Sequence, residues 1–253
     1  MPEHSFHTPL PLTLDIAIPA GEIEVETVDG EQSTVEVSGD ENLLENLEVR
    51  QDGDRVVVAL RGKSKFGFVV QFGSHVFGNA GIDVRARIPH AASVKIKTAS
   101  SDMDLAGRFQ EIDVNGVSGD LRIRGEVAED VKVKTVSGDV ELEHVGRDLS
   151  VQSVSGDVRA ARIGGTADLK SVSGDMRLEA LVSGEARFTS VSGDVEIGIA
   201  QGSLLDVDAG STSGDLSSEV PLASGPVDEA GDGPTVVLRG KTISGDVRVF
   251  RAA

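Results

Sequence analysis

Aspartates recur at a nearly constant spacing along more than half of this chain of 253 residues. A row of carboxylates is the kind of arrangement that hard cations such as Ca²⁺ bind. The alternative is that the carboxylates accept hydrogen bonds from backbone groups at tight corners, with solvent screening their charges. We favour this alternative and expect calcium to have little effect. The residues of the weak candidate cation site are Asp139, Asp157, Asp175 and Asp194.

The other reactive residue types form no catalytic pattern. The chain has no cysteine, which excludes disulfides, thiolate zinc sites and thiol nucleophiles. Of its five histidines, only His4 and His7 are close in sequence. Neither a Gly-x-Ser-x-Gly elbow nor a Walker-type phosphate loop is present. We therefore predict no enzymatic activity and no cofactor. A polysaccharide-cleaving enzyme is the weakest alternative, because every repeat carries the same acids and none is singled out.

The aspartates belong to a repeated phrase, Val-Ser-Gly-Asp, followed by an apolar residue. A spacing that stays near 19 residues indicates one structural unit copied along an axis. Between two such phrases, apolar and polar residues alternate, as in Val140-Glu141-Leu142-Glu143, which is typical of a half-buried strand. Five full copies stand at 117–120, 136–139, 154–157, 172–175 and 191–194, with weaker copies at 99–102, 212–215 and 243–246.

Each unit predicts two short strands and two corners. An antiparallel meander would need roughly sixteen strands, whereas open twisted sheets rarely exceed about 10. We therefore predict an all-β fold, a single-chain parallel β-solenoid (β-helix) with one unit per coil and two facing sheets. The expected inward side chains are Val140, Leu142, Val145, Leu149, Val151 and Val154, with counterparts that include Val136, Val172, Val182 and Val191.

Changes in composition along the chain predict its organisation. The stretch at 221–234 is rich in Gly, Pro, Asp and Ser, which is typical of a loop. Beyond it, 236–238 are expected to rejoin the stack and 247–250 to close it. The predicted parts are a β-rich N-terminal cap at 1–90 with a Phe/Gly-rich insert at 62–80, and a repeat solenoid at 91–253 with the loop insertion at 221–234.

The insert at 62–80 is the predicted interaction site. It carries four of the eight phenylalanines of the chain. One interpretation is a lid that covers the open end of the solenoid core. The other is an exposed apolar patch that docks a protein partner or, as a weaker alternative, a membrane surface. The residues concerned are Phe66, Phe68, Phe72, Phe77, Lys63 and Lys65.

Charge and aromatic content narrow the range of partners. The formal net charge is -18, which disfavours nucleic acid and anionic membrane surfaces. Trp and Tyr are absent, which disfavours stacking on sugars or single-stranded nucleic acid. The sequence shows no secretory signal and no apolar stretch of about 18 residues. We therefore expect a cytoplasmic protein that binds proteins or copies of itself, without a small-molecule substrate.

The phrase Val-Lys-Thr-Val-Ser-Gly-Asp-Val at 133–140 resembles the bacterial β-strand-repeat domain of unknown function called toastrack, a family associated with adhesins. Ile-Pro-Ala-Gly at 18–21, Arg-Ile-Pro at 87–89 and Thr-Ile-Ser-Gly-Asp-Val at 242–247 fit the same family. The resemblance implies surface adhesion or a role beside envelope-stress signalling components, and it brings no catalytic residues. We expect a non-enzymatic interaction scaffold, with an adhesin-like surface module as the alternative.

Overall fold

A computed structural model describes residues 3–61, 81–220 and 234–252, which form twenty strands and one short helix. In chain order these are β1 (Glu3–His7), β2 (Thr13–Val28), β3 (Gln32–Gly39), α1 (Glu41–Glu45), β4 (Leu47–Asp52), β5 (Arg55–Leu60), β6 (Ile82–Pro89), β7 (Ala92–Asn115), β8 (Leu121–Val127), β9 (Val131–Lys134), β10 (Val140–Val145), β11 (Leu149–Gln152), β12 (Val158–Ile163), β13 (Ala167–Lys170), β14 (Met176–Leu181), β15 (Gly184–Ser192), β16 (Val195–Ile199), β17 (Leu204–Ser213), β18 (Leu216–Ser218), β19 (Thr235–Ser244) and β20 (Val247–Arg251).

The chain divides into two compact units. Unit 1 comprises Met1–Ala128 with Val133–Thr135, and unit 2 comprises Glu129–Lys132 with Val136–Ala253. Both units are built mainly from parallel strands that pair with an equivalent strand of the neighbouring coil. The two units are described in turn below.

In unit 2, equivalent residues of successive coils stand side by side. Val140 pairs with Val158, and Val158 pairs with Met176, both in parallel register. The predicted parallel β-solenoid is thereby confirmed, because matching side chains of successive repeats meet. The pairings follow two columns, β10-β12-β14-β16-β20-β18 and β11-β13-β15-β19-β17.

The last two coils of unit 2 stack in the reverse of their sequence order. The coil of β19 and β20 lies between the coil of β15 and β16 and the coil of β17 and β18. The prediction that 247–250 close the stack is therefore wrong. Packing against Phe188 is consistent with this order. Gly240 of β19 stands opposite it, and a Cβ atom at Gly240 would lie 2.4 Å from the Phe188 ring.

Unit 1 has parallel coils with antiparallel strands at one end. The long strand β2 lies between β7 on one side and β5 and β6 on the other, all in parallel register. β8 extends the stack beyond β7. The antiparallel strand β4 pairs with β5, while β3 pairs with β6 and β1 with β3. Strands β4 and β3 thus cover the outer edges of β5 and β6, which would otherwise offer unpaired backbone groups.

The core consists of the alternate residues of each strand. Val140, Leu142 and Val151 are buried, as predicted. The corner valines are an exception, because the period-two alternation of the strand continues into the corner. It places Ser153 in the interior and Val154 outside. The prediction that Val136, Val154, Val172 and Val191 point inward is therefore wrong. The prediction is also wrong for Val182, where the neighbouring Leu181 is the buried residue instead.

Candidate functional site

Glycines form the tight corners between the strands. Gly156 has a φ of 117°, a backbone conformation that residues with a Cβ atom rarely adopt. A Cβ atom there would also lie 2.3 Å from the carbonyl oxygen of Gly138 in the preceding coil. Only glycine allows coils to approach so closely at this corner, so the Ser-Gly-Asp phrase is first of all a structural requirement.

The aspartate after each glycine ties its corner to the next one. The backbone N–H of Asp157 donates to Asp139 Oδ1 at 2.8 Å, and the N–H of Asp175 donates to Asp157 Oδ1 at 2.9 Å. This confirms the predicted hydrogen bonds between carboxylates and corner backbone groups. We call the stacked set in unit 2 the aspartate ladder. In spatial order it consists of Asp139, Asp157, Asp175, Asp194, Asp246 and Asp215.

Four residues of this ladder, Asp139, Asp157, Asp175 and Asp194, were predicted from the sequence as weak candidates for cation binding. In the part of the chain that the structure describes, no group of three or more His, Asp or Glu side chains could hold a metal ion. One oxygen of each of the four accepts a backbone hydrogen bond from the next rung. The geometry thus gives the row a role in holding the corners.

A second column of hydroxyl side chains lies inside the corners. Ser153 and Ser171 are buried and donate to the carbonyl oxygens of Ser155 and Ser173, each at 3.2 Å. Ser190 stands at the same place in the next coil and is 2% exposed. Its Oγ atom has no hydrogen-bond partner among the described residues. A buried polar group without a partner costs free energy, so this position is a local defect in the column.

The corner residues that point outward form an aliphatic line on unit 2. We call this line the valine ridge, and its exposed fractions range from 43% at Val191 to 56% at Ile243. Bridges between the serines that follow each residue place the coils in register. Of the described large hydrophobic residues, only Leu10 and Leu216 are exposed to a similar degree. The ridge consists of Val136, Val154, Val172, Val191 and Ile243.

The two flanks of the valine ridge differ in charge. Three residues after each ridge residue comes an aspartate of the ladder, which makes that flank acidic. Two residues before the last four ridge residues lie the exposed side chains of Gln152, Lys170, Thr189 and Lys241. This flank is neutral to basic, although Lys170 Nζ also contacts Asp168 at 2.9 Å. The ridge was not predicted from the sequence, because the corner valines were expected inside on account of their hydrophobicity. Strict alternation from the buried Leu149 would have placed Ser153 inside and Val154 outside.

The outer strand faces of unit 2 carry ion pairs between neighbouring coils. Arg177 pairs with Glu196, and Arg248 pairs with Glu219 at 2.5 Å. The hydrogen bond from Arg248 to Glu219 raises the pKa of the guanidinium above its ordinary value. Within each pair the positive charge of the arginine offsets the negative charge of the glutamate. The valine ridge is where the apolar surface of unit 2 is concentrated.

Unit 1 has a shallow charged groove of about 540 Å³ on the faces of β2, β6, β7 and β8. Arg85 contacts Glu24 at 2.6 Å, and Arg124 contacts Asp104 at 2.7 Å. The hydrogen bond from Arg85 lowers the pKa of Glu24. Because the opposite charges on its walls pair with each other, the groove does not single out one class of charged ligand.

A Thr-His-Asp chain in unit 1 resembles a catalytic relay in its contacts. Thr27 Oγ1 lies 2.7 Å from His90 Nδ1, and His90 Nε2 lies 3.4 Å from Asp29. Thr27 is only 6% exposed, however, and its hydroxyl accepts the backbone N–H of Arg108 at 2.8 Å. A substrate has no access to a hydroxyl in this position, so the network fixes the corner around Gly107.

The predicted interaction residues Phe66, Phe68, Phe72, Phe77, Lys63 and Lys65 lie outside the described residues. Their role stays a prediction from the sequence. No helix among the residues that the structure describes is long and apolar enough to span a bilayer.

A family model described as Toastrack DUF4097 matches residues 13–249. A candidate adhesin of Parabacteroides distasonis has a similar crystal structure, with a TM-score of 0.58, 15% identity, and coverage of 98% of this chain and 96% of that chain. A candidate adhesin of Bacteroides fragilis has a TM-score of 0.53 and 15% identity, with coverage of 97% of this chain and 95% of that chain. A candidate lipid-binding protein of Parabacteroides distasonis has a TM-score of 0.58 and 14% identity, with coverage of 98% of this chain and 96% of that chain. At such identities the likeness shows the fold alone. Among curated proteins no sequence matches this chain.

Proposed function

Because the chain belongs to the Toastrack DUF4097 family, we propose that it is a non-enzymatic interaction module that binds a protein partner along the valine ridge. One observation carries the proposal. Five of the seven exposed large hydrophobic residues among those described stand in this one line. Single exposed hydrophobic side chains are ordinary, but five of them aligned on successive coils form one apolar strip that a partner could cover.

The chemistry of the ridge suits protein recognition. Its aliphatic crest would lose contact with water on binding, which supplies affinity. Its flanks differ in charge, which supplies orientation and selects against partners of the wrong charge pattern. Because the glycine corners and the aspartate ladder hold the ridge residues in register, little conformational entropy is lost when a partner binds.

The experiment places a photoreactive phenylalanine analogue at the exposed Ser173, next to Val172 of the ridge, and a matched probe at Glu143 on the outward face of β10. On irradiation in cells, we expect a protein adduct of defined mass from the probe at Ser173 and much less from the probe at Glu143. The double substitution Val154→Ser and Val172→Ser should remove the adduct while the melting temperature stays close to that of the unmodified chain.

Equal labelling from the two probes would contradict the proposal, and so would an adduct that persists after the valine substitutions. A parallel assay of the purified chain against polysaccharide substrates tests the enzymatic alternative. Turnover by the pure protein would overturn the non-enzymatic assignment.

An adhesin-like surface module is the second candidate function. It is favoured by the similar structures from Parabacteroides distasonis and Bacteroides fragilis that are described as candidate adhesins. A link to envelope-stress signalling components is the corresponding proposal for a module at the cell envelope. Fractionation and protease treatment of intact cells separate the two locations. Cleavage of the chain by a protease added to intact cells supports the surface module. Full protection of the chain from that protease supports a partner inside the cell.

A further inference from the structure

We propose that the partner seated on the valine ridge is a second copy of this chain, in a two-fold dimer whose axis runs parallel to the ridge. This inference rests on the proposed function, because it names the occupant of the same surface. Two properties of the ridge carry it, the spacing of its rows and the charges of its flanks, and the area of the ridge sets how strong the dimer is.

The spacing of the rows favours a partner with the same repeat. Neighbouring strands in a sheet lie about 4.8 Å apart, so ridge residues of successive coils repeat at that distance. An extended peptide laid along the ridge would present side chains on one face at intervals of about 6.7 Å, which falls out of step within a few rows. A second copy presents its own valines at the same interval, and all five rows can then meet.

The flanks decide the direction of the second copy. A two-fold axis parallel to the ridge sets the Lys170 and Lys241 flank of one copy against the aspartate ladder of the other, in the same row. By symmetry the same contact forms twice. An axis that crosses the ridge at a right angle would instead oppose like flanks and bring two rows of carboxylates together. Charge complementarity therefore selects the parallel arrangement.

The area of the ridge sets the strength of the dimer. Five rows span roughly 20 Å, and a strip about 10 Å wide gives on the order of 200 Å² per copy. Stable dimers bury about 800 Å² per partner, so the contact supports only a weak, concentration-dependent dimer.

The first experiment measures self-association of the purified full chain by sedimentation velocity at concentrations up to about 1 mM. We expect a reversible shift towards the dimer in the unmodified chain. The double variant Val154→Ser, Val172→Ser should weaken dimerisation at least about fivefold, because two central rows lose their apolar contact. Leu10→Ser is the matched control, since Leu10 is 51% exposed but belongs to unit 1 and is not a ridge residue. It should leave the association unchanged.

The second experiment tests direction by exchanging charges in one row. Lys241→Glu and Asp246→Lys should each weaken the homodimer about three- to tenfold, because every dimer then contains two like-charge contacts. Mixing the two variants should restore association, since both contacts in the mixed dimer pair opposite charges. Melting curves check that Asp246→Lys still folds. If it does not, the valine variants decide the proposal alone.

A purified chain that stays monomeric throughout, or a dimer that ignores the valine substitutions, would overturn the inference. So would a mixture that associates no better than its components. The proposed function survives these results if the probe at Ser173 captures a different protein. If that probe gives no adduct above the control, the proposed function itself fails.

Discussion

The backbone N–H of Asp246 donates to Oδ1 of Asp194, 52 residues earlier in the chain, at 2.8 Å. The N–H of Asp215 in turn donates to Asp246 Oδ1 at 2.9 Å. The aspartate ladder thus continues without a break through the coil of β19 and β20, although that coil comes from the end of the sequence. The ladder follows the stacking of the coils and not their order along the chain.

Replacing Gly156 by Ala should lower the free energy of unfolding by about 3 kcal/mol or more, since the new Cβ atom meets the carbonyl oxygen of Gly138. Gly202→Ala is the matched control, because Gly202 has a φ of 84° and open space around it. It should cost only about 1 kcal/mol, from backbone strain alone. Urea unfolding of both variants measures the difference. Equal losses would show that the close approach of the coils is unimportant.

The aspartate ladder predicts a difference between two substitutions at Asp175. Asp175→Ala removes the acceptor for the N–H of Asp194 and should cost about 1 kcal/mol. Asp175→Asn keeps an acceptor oxygen and relieves repulsion of about 0.9 kcal/mol between neighbouring charges at ladder spacing. At low salt we therefore expect Asn to be at least as stable as Asp. Chemical denaturation at two salt concentrations tests this order, and a variant with Ala as stable as that with Asn would contradict it.

The buried hydroxyl of Ser190 predicts a stabilising substitution. Ser190→Ala removes a polar atom that has no hydrogen-bond partner among the described residues, and should raise the unfolding free energy by about 1 kcal/mol. Ser171→Ala in the preceding coil breaks the bond to Ser173 and should lower it by a similar amount. Thermal unfolding of the pair measures the sign of each change. Loss of stability in both variants would mean that the Ser190 hydroxyl makes a stabilising hydrogen bond in the folded protein, which would contradict the prediction.

The Arg85–Glu24 pair predicts a small dependence of stability on pH. Hydrogen bonds of 2.6 and 3.0 Å from Arg85 lower the pKa of Glu24 in the folded chain. The resulting stabilisation is present above the ordinary pKa of Glu24 and is lost as the pH falls through its lowered value. Glu24→Gln should therefore be less stable than the unmodified chain at neutral pH, and the difference should shrink as the pH falls below the ordinary pKa of Glu24 and vanish once its carboxylate is protonated in the folded chain.

The control for this prediction is Arg85→Gln. It should show a loss of the same size at neutral pH, and the double variant should lose no more than either single variant. A difference between Glu24→Gln and the unmodified chain that grows as the pH is lowered would contradict the assignment. The effect is small, because the pair is exposed to solvent.

The phenylalanines of the insert at 62–80 give a prediction that comes from the sequence alone. Replacing Phe66, Phe68 and Phe72 by Ser should abolish capture of a partner that docks on the insert, a site separate from the ridge, while the melting temperature of the repeats stays unchanged. Pull-down assays and thermal melting check the two parts separately. A protein that simply melts at a lower temperature would favour the lid interpretation over the docking interpretation.

Much of the fold could be read from the spacing of the repeats. The constant interval predicted parallel coils, and the alternation around Val140 and Val151 predicted the buried side chains. The corner valines were misplaced because a hydrophobic residue was expected inside, whereas the alternation of the strand puts Ser153 there. The stacking order of the last coils could not be read either. Strands β17 and β19 share apolar residues at two paired positions, Leu205 with Val236 and Val207 with Leu238, so the pattern alone does not rank them, and it is β19 that places a glycine, Gly240, against Phe188.

The reversed stacking of the last two coils has a consequence for biosynthesis. A ribosome releases β17 and β18 before β19 and β20, yet among the described residues the earlier pair finds its parallel neighbours only in the later pair. These two coils therefore cannot be added to the stack in the order of translation. The coil of β17 and β18 lacks these parallel neighbours until β19 and β20 have been synthesised and have taken their place between it and the coil of β15 and β16.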